Sequence, residues 1–159
     1  MFDVIIIGAG SAGLSAAWHA KQNKLKSLVI SKGVFLGEGL YGIDFSKIAG
    51  DVEKGEVVSL DKNIVSFSVE TKSGEQYYAK AVIIASGCLN LEGNSAFDRV
   101  TLKDSFGKIF VDANLQSNVP GIFAAGDVAV TLAKGQASAI LEGGKAALSL
   151  DKILKNGDN

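Results

Sequence analysis

The chain has 159 residues, of which 47% are hydrophobic and 21% charged, and its formal net charge is −1 at pH 7. This length and composition predict one globular domain and exclude a disordered tail protein or a charged coiled coil. With 16 basic and 17 acidic residues, the chain has no basic excess to neutralise a nucleic-acid backbone, so we expect no nucleic-acid partner.

The sequence also predicts a cytoplasmic protein with no membrane segment. Residues 4–20 are uncharged, but no basic residue precedes them and Gly8, Gly10 and Gly13 interrupt them. This pattern favours a strand, a turn and a helix over a signal or membrane segment. The only cysteine, Cys88, excludes an internal disulfide and is consistent with a reducing compartment.

The first 30 residues predict a βαβ unit. Residues 3–7 are β-branched and end at glycines, residues 11–23 place small and apolar side chains at helical spacing, and residues 27–30 are again apolar. A right-handed crossover would make the two strands parallel neighbours. The chain therefore begins as a nucleotide-binding unit does.

The middle of the chain predicts a glycine-rich loop followed by a β-meander. Residues 32–54 have no sustained period and are predicted as loop with one short helical turn. Three extended runs follow, separated by turn-forming residues, at 56–60, 64–70 and 76–79. They predict a small antiparallel sheet, after which the buried run at 81–85 rejoins the parallel sheet.

The last third predicts a connector, two strands and a closing helix. Residues 88–108 are polar, with one extended candidate at 99–102, and strands are expected at 109–112 and 121–125. The helix runs from 134 to about 154, and we expect Gly143-Gly144 to loosen it. Residues 1–159 then form a single domain whose two sequence halves, 1–87 and 107–154, are joined by the connector 88–106.

The G-x-G-x-x-G pattern at Gly8, Gly10 and Gly13 stands between the first strand and the first helix, as in dinucleotide-binding motifs. Gly8 would make the tight turn, Gly10 would let the backbone approach a pyrophosphate, and Gly13 would allow close packing. The N–H groups of Ser11 and Ala12 would bind phosphate at the positive end of the helix. A turn without a ligand is the alternative.

At the end of the second strand, Ser31 and Lys32 occupy the position where an acidic residue ordinarily binds ribose hydroxyls. Ser31 would hydrogen-bond a ribose hydroxyl. Lys32 would either meet a 2′-phosphate, which keeps NADP as an alternative ligand, or be a solvated turn residue.

A third motif gives the strongest signal. The strand at 121–125 delivers Gly126 and Asp127 to the carboxyl edge of the sheet, where ligands of open α/β sheets bind. Together with the glycine motif and the Ala85-Ser86-Gly87 strand end, it closely resembles the FAD-binding domain of thioredoxin reductase-like flavoproteins, in the pyridine nucleotide–disulfide oxidoreductase family. The resemblance implies an α/β, Rossmann-like FAD/NAD(P)-binding fold with a central parallel sheet and a three-stranded antiparallel meander.

The same resemblance implies FAD as the cofactor and assigns residues to it. Asp127 would bind a ribitol hydroxyl, Gln136 and Ala137 would contact the flavin ring, and Val57 would lie beside the adenine. In all, the predicted cofactor-binding residues are Gly8, Gly10, Ser11, Ala12, Gly13, Ser31, Lys32, Val57, Ser86, Gly87, Gly126, Asp127, Gln136 and Ala137.

Two departures from the family bear on function. Full-length members insert an NAD(P)H-binding domain with a Cys-x-x-Cys pair where this chain has only residues 88–106, and it has no second glycine motif. We therefore predict a minimal flavoprotein oxidoreductase component, not a classical thioredoxin reductase, exchanging electrons or hydride at the flavin with a separate redox partner or small donor. The alternatives are a non-catalytic FAD carrier or interaction module, an NADP-binding Rossmann protein, and an excised or truncated domain of a larger reductase.

Three further residues could carry chemistry. Cys88 is either a redox thiol or inert, since no neighbouring cation lowers its pKa; His19 is expected on a helix surface; and Arg99 would touch phosphate or be solvated. No residue is assigned as acid, base, nucleophile or metal ligand. An uncovered flavin face would form the surface of a homodimer.

Overall fold

The computed structural model of the protein describes residues 1–33, 50–87 and 95–157. Its strands are β1 (Phe2–Ile7), β2 (Ser27–Ser31), β3 (Asp51–Lys54), β4 (Val57–Lys62), β5 (Phe67–Thr71), β6 (Gln76–Ile84) and β7 (Ile122–Ala124). Its α-helices are α1 (Ser11–Gln22) and α2 (Gln136–Gly157), and short 3-10 helices cover Ser95–Phe97 and Gly126–Val128.

The strands form one mostly parallel sheet. They are ordered β3-β2-β1-β6-β5-β4, with β7 also paired to β6. The pairs that involve β1, β2, β3 and β7 are parallel, whereas β4–β5 and β5–β6 are antiparallel. This arrangement confirms the predicted α/β, Rossmann-like fold.

Strand β6 belongs to both parts of the sheet. Its first half pairs antiparallel with β5, where Ala79 lies opposite Phe67, and its second half pairs parallel with β7, where Val82 lies opposite Ile122. The sequence predicted two strands here, at 76–79 and 81–85. The single polar residue between them, Lys80, faces solvent and does not end the strand, so the meander continues the central sheet.

The core lies on both faces of this sheet, because successive side chains of a strand point to opposite faces. Val4 and Ile6 of β1 pack on one face against the buried alanines of α1 and α2. Ile5 and Ile7 pack on the other face against the meander. Strand β1 is therefore central, as its uninterrupted β-branched run predicts.

The glycine pair in α2 forms a contact with α1. It does not loosen the helix, so the prediction from the sequence was wrong. Helix α2 runs for 22 residues through this pair. A Cβ on Gly143 would lie 2.0 Å from the carbonyl oxygen of Ala12, and one on Gly144 would lie 2.7 Å from Cε1 of His19. Glycines here let the two helices approach more closely than any larger residue allows.

The expected strands at 99–102 and 109–112 do not form. Residues 98–100 make a turn, and Ile109 makes only isolated bridges, to Lys103 and Ala129. The connector was predicted to be polar, but two of its apolar side chains, Phe97 and Val100, are buried in the core beside the meander. These side chains find partners far away in sequence, which a local pattern does not reveal.

The remaining differences concern the start of the meander. Strand β3 lies in the region predicted as loop and pairs with β2. Ile64 and Val65 are 99% and 82% exposed because they lie in the turn before β5, which begins only at Phe67. Hydrophobic residues in a turn resemble a strand in sequence.

Candidate functional site

A cavity of about 820 Å³ opens at the carboxyl ends of the parallel strands. Its walls come from the turn after β1, the end of β2, the β3–β4 connection, the end of β6 and the segment from β7 into α2. This is the edge at which open α/β sheets bind ligands.

The turn after β1 is compact because two of its glycines touch backbone. Gly8 has φ +107°, and a Cβ there would lie 2.3 Å from the carbonyl oxygen of Ala85. A Cβ on Gly13 would lie 1.9 Å from the carbonyl oxygen of Gly8. A Cβ on Gly10, by contrast, would meet nothing within 4 Å. Gly10 therefore leaves open space on the cavity side, while the other two allow the packing.

The N-terminus of α1 faces this cavity and is suited to an anion. Gly10 is the N-cap residue, no side chain caps the helix, and the first turn contains no acidic residue. Ser11 and Ala12 line the cavity. The partial positive charge of the helix end is therefore available to a phosphate group in the cavity.

An ion pair lies at the β2 end of the cavity. The Nζ atom of Lys32 lies 2.7 Å from Oε1 of Glu56, and both residues line the cavity beside Ser31 and Val57. The hydrogen bond from Lys32 holds the pKa of Glu56 below its usual value of 4.5. The sequence assigned no role to Glu56, because it precedes β4 and its contact with Lys32 depends on the sheet.

At the β7 end, the Gly126–Val128 helix presents Asp127 to the cavity. Gly126 has φ +80°, and its N–H donates to Oε2 of Glu142 at 2.7 Å. A Cβ on Gly126 would lie 3.2 Å from Cβ of Ala12, at the start of α1. Helix α2 therefore fixes the turn that carries Asp127, close to the first turn of α1.

The segment between this turn and α2 is held by a lysine. Nζ of Lys134 donates to the carbonyl oxygen of Ala129 at 2.9 Å and lies 3.3 Å from Oγ1 of Thr131. The first turn of α2 contains no acidic residue. Its partial positive charge is therefore not neutralised by a side chain of that turn.

The cavity brings together all of the sequence-predicted cofactor-binding residues except Gly13 and Ala137. Gly13 lies behind the glycine turn, where its predicted role was packing. Ala137 is exposed on α2, and Ala139 lines the cavity next to Gln136 instead. Residues three apart share a helix face whereas adjacent residues do not, which is why Ala139 and not Ala137 joins Gln136.

Several lining residues were not predicted from the sequence, among them Glu56, Gly135 and Phe97. Phe97 belongs to the 3-10 helix of the connector and is 3% exposed. An apolar residue in a polar stretch was the only local signal for Phe97.

Two other candidate residues, His19 and Arg99, lie away from the cavity walls. Nδ1 of His19 lies 2.8 Å from the carbonyl oxygen of Ser15 and so donates its proton there, while the ring contacts Trp18 edge-on. The guanidinium of Arg99 lies 3.5 Å from a carboxylate oxygen of Asp61 on the exposed surface. Cys88 lies outside the described residues.

Comparison with known protein families gives two matches. The sequence model of the family described as pyridine nucleotide-disulphide oxidoreductase matches residues 51–144, more than half of the chain. The model described as FAD binding domain matches residues 3–46. Together the two matches include the glycine turn, the meander and the Gly126–Asp127 motif.

Individual relatives are similar over different lengths. The chain is 26% identical over 161 residues to a 34.2 kDa protein in the rubredoxin operon of Clostridium pasteurianum, an alignment that covers 96% of this chain and 51% of that protein. It is 30% identical over 137 residues to ferredoxin–NADP reductase 1 of Oceanobacillus iheyensis, covering 64% of this chain and 39% of that protein. The chain thus spans about half or less of the length of these curated relatives.

Among solved structures, a thioredoxin reductase from Streptococcus pyogenes has the same fold. The alignment has a TM-score of 0.84 at 17% identity and covers 98% of this chain and 99% of that chain. None of the helices within residues 1–33, 50–87 and 95–157 is both long and apolar enough to cross a membrane.

Proposed function

Because the chain belongs to the pyridine nucleotide-disulphide oxidoreductase family and takes FAD as its cofactor, we propose that it is the flavin-bearing component of a redox system. In this proposal residues 1–159 act as one FAD-binding domain, with halves 1–87 and 107–154 joined by residues 88–106. The bound flavin would supply electron or hydride exchange at N5 with a separate donor or redox partner.

The observation that carries the proposal is the order of groups along the sheet edge. The strand order places the end of β2, with Ser31, on one side of the glycine turn that follows β1, and the ends of β6 and β7, with Asp127, on the other. An extended FAD presents adenosine, diphosphate, ribitol and flavin in one line. The cavity has a hydroxyl-binding end at Ser31, an anion-binding centre at the glycine turn and a second polar end at Asp127. These three parts are in the same order as the ribose, the diphosphate and the ribitol of FAD.

The shape of the cavity at the glycine turn also supports a bound diphosphate. The open space at Gly10, where a Cβ would meet nothing within 4 Å, lies beside the uncapped end of α1 and leaves room for a diphosphate. Ser11 and Ala12 would bind it through backbone N–H groups. Ser86 and Gly87, from the end of β6, line the same cavity between its two ends.

Side chains would position the rest of the cofactor. Ser31 would bind the adenosine ribose, Val57 would lie against the adenine, and Asp127 would accept a hydrogen bond from a ribitol hydroxyl. Gln136 and the first turn of α2 would face the flavin ring, where the helix end favours negative charge. FAD, once bound, supplies the two-electron chemistry of its ring.

The residue content of this chain supports a separate donor. Cys88 is its only cysteine, and its only G-x-G-x-x-G pattern is at Gly8–Gly13, so this chain has no thiol pair to carry electrons onward and no second dinucleotide motif for a nicotinamide. One of the relatives is named for ferredoxin, a separate protein. That name supports a partner-dependent reaction here.

The test starts with the purified protein. We expect it to be yellow, to release FAD on denaturation, and to be bleached anaerobically by dithionite but not by NADH or NADPH alone. A colourless protein that FAD cannot reconstitute would refute the cofactor site. Rapid bleaching by NADH or NADPH would refute the requirement for a separate donor.

A second measurement separates an oxidoreductase from a carrier. The dithionite-reduced protein is mixed anaerobically with an electron acceptor protein, and the return of the flavin absorbance is followed. Reoxidation that depends on the concentration of the acceptor supports the proposal. Release of the reduced flavin into solution before any acceptor is reduced would instead indicate a carrier.

A further inference from the structure

The adenosine end of the cavity has a carboxylate that does not come from the end of β2. Ser31 and Lys32 stand there, and Glu56 lies opposite them, before β4. The side chain of Glu56 is 33% exposed and lines the cavity. A carboxylate is thus present at the ribose end, although it arrives from another strand connection.

The backbone of Glu56 is held on both sides. The N–H of the preceding Gly55 donates to the carbonyl oxygen of Ser31 at 3.0 Å, and the N–H of Lys72 donates to the carbonyl oxygen of Glu56 at 2.8 Å. These bonds tie the segment to the end of β2 and to the turn after β5. The backbone of Glu56 therefore has a defined position relative to Ser31.

Lys32 orients the carboxylate of Glu56, and the ion pair between them offsets the positive charge of the lysine. Its Nζ atom lies 2.7 Å from Oε1 of Glu56, whereas Nζ of Lys72 lies 3.6 Å from Oε2. A carboxylate has about four acceptor positions, so capacity remains for two hydroxyl donors. A lysine already paired with a carboxylate is a poor site for a phosphate dianion, because that dianion would also approach the carboxylate.

We propose that Glu56 binds the 2′- and 3′-hydroxyls of the adenosine ribose, and that the Lys32–Glu56 pair rejects dinucleotides that carry a 2′-phosphate. This inference rests on the proposed function, since it concerns the adenosine half of the same FAD site. It makes Glu56 the residue that selects an unphosphorylated ribose.

The test compares ligands that differ only at the ribose. Apoprotein is titrated with FAD, and bound FAD is then competed with 5′-AMP or with adenosine 2′,5′-bisphosphate. The wild type is expected to prefer 5′-AMP. Glu56→Gln and Glu56→Ala are expected to raise the dissociation constant for FAD by about fivefold to tenfold and to narrow the preference for 5′-AMP, because Lys32 is then available to the 2′-phosphate.

Glu70→Gln is the matched control, since Glu70 lies on β5 and does not line the cavity; it should bind both competitors as the wild type does. If Glu56→Ala does not fold by circular dichroism, Glu56→Gln decides. Wild-type FAD affinity together with an unchanged preference in the Glu56 variants would overturn this inference and leave the proposed function intact. Failure of the wild type to bind FAD would overturn the proposed function itself.

Discussion

Two parts of the cavity wall are built in different ways. At the glycine turn and the Gly126 turn, backbone and small residues touch directly, and the closest approaches involve Gly8, Gly13 and Gly143. At the β2 end, long charged side chains meet at the surface, as Lys32 and Glu56 do. Backbone packing tolerates almost no added atom, whereas an exposed ion pair tolerates substitution and depends on pH and salt.

The largest expected effect comes from adding a methyl group at the helix crossing. In Gly143→Ala the new Cβ would lie 2.0 Å from the carbonyl oxygen of Ala12, so α2 must move away from α1. We expect a loss of about 1–3 kcal/mol in the free energy of unfolding and weaker FAD retention, because Ala12 belongs to the anion-binding turn. Urea unfolding and flavin content measure the two effects.

Gly10→Ala is the matched control for that variant. A Cβ on Gly10 meets no atom of the protein within 4 Å, so the free energy of unfolding of the apoprotein should change little. FAD affinity should fall, because the methyl group occupies cavity space. Equal destabilisation of the two apoproteins would contradict the distinction between packing and ligand-facing glycines.

Asp127→Asn tests the Gly126 turn, which belongs to the part of the cavity wall built from backbone contacts. Removing the charge from a hydrogen bond to a ribitol hydroxyl is expected to raise the dissociation constant for FAD about tenfold. Flavin fluorescence on titration gives this constant. The control is Asp98→Asn, because the Asp98 carboxylate pairs with Lys103 and does not line the cavity. An unchanged constant in Asp127→Asn would remove Asp127 from the site.

Glu142 provides a smaller, graded test, because it acts through the Gly126 turn. Glu142→Ala removes the acceptor of the Gly126 N–H and should cost about 1 kcal/mol in the free energy of unfolding. It should also shift the visible spectrum of bound flavin if the turn moves. Glu142→Gln keeps an acceptor oxygen and should restore the spectrum. A spectrum unchanged by the alanine variant would show that Glu142 contributes to stability alone.

The smallest effect is the pH dependence of the ion pair. Because Lys32 holds the pKa of Glu56 below 4.5 in the folded protein, the contribution of this pair to stability is present above the unfolded pKa and is lost as the pH falls through the folded pKa. The difference in melting temperature between wild type and Glu56→Gln should therefore be small at pH 7 and should shrink as the pH falls below 4.5. A difference in melting temperature that grows as the pH is lowered would contradict the predicted direction of the pH dependence.

The same contrast explains which features the sequence predicted. The β1–α1–β2 unit and the glycine turn follow from adjacent residues, so periodicity and glycine spacing located them. Glu56 and Phe97 reach the cavity only when distant segments meet, and their local patterns are those of an ordinary meander and connector. Non-local contacts of this kind are absent from any short window of sequence.

The prediction that Gly143-Gly144 loosens the helix was wrong for another reason. Glycine inside a helix weakens it but also permits close packing, and the sequence alone favoured the first effect. The structure shows the second, since α2 is continuous there. The contact of Ala137 with the flavin stays a prediction, and the structure adds that Ala139 lines the cavity beside Gln136.

The double pairing of β6 has a consequence for the order in which the protein folds. Strands β4, β5 and β6 are neighbours in sequence, so their pairing closes short loops, whereas β1 and β7 must both reach β6 across long intervening segments. Long loops cost more entropy to close and slow the formation of their contacts. We therefore expect the β4–β5–β6 meander to form first and the two strands that carry the glycine turn and Asp127 to dock onto β6 later, with a ligand that contacts both turns favouring the docked state.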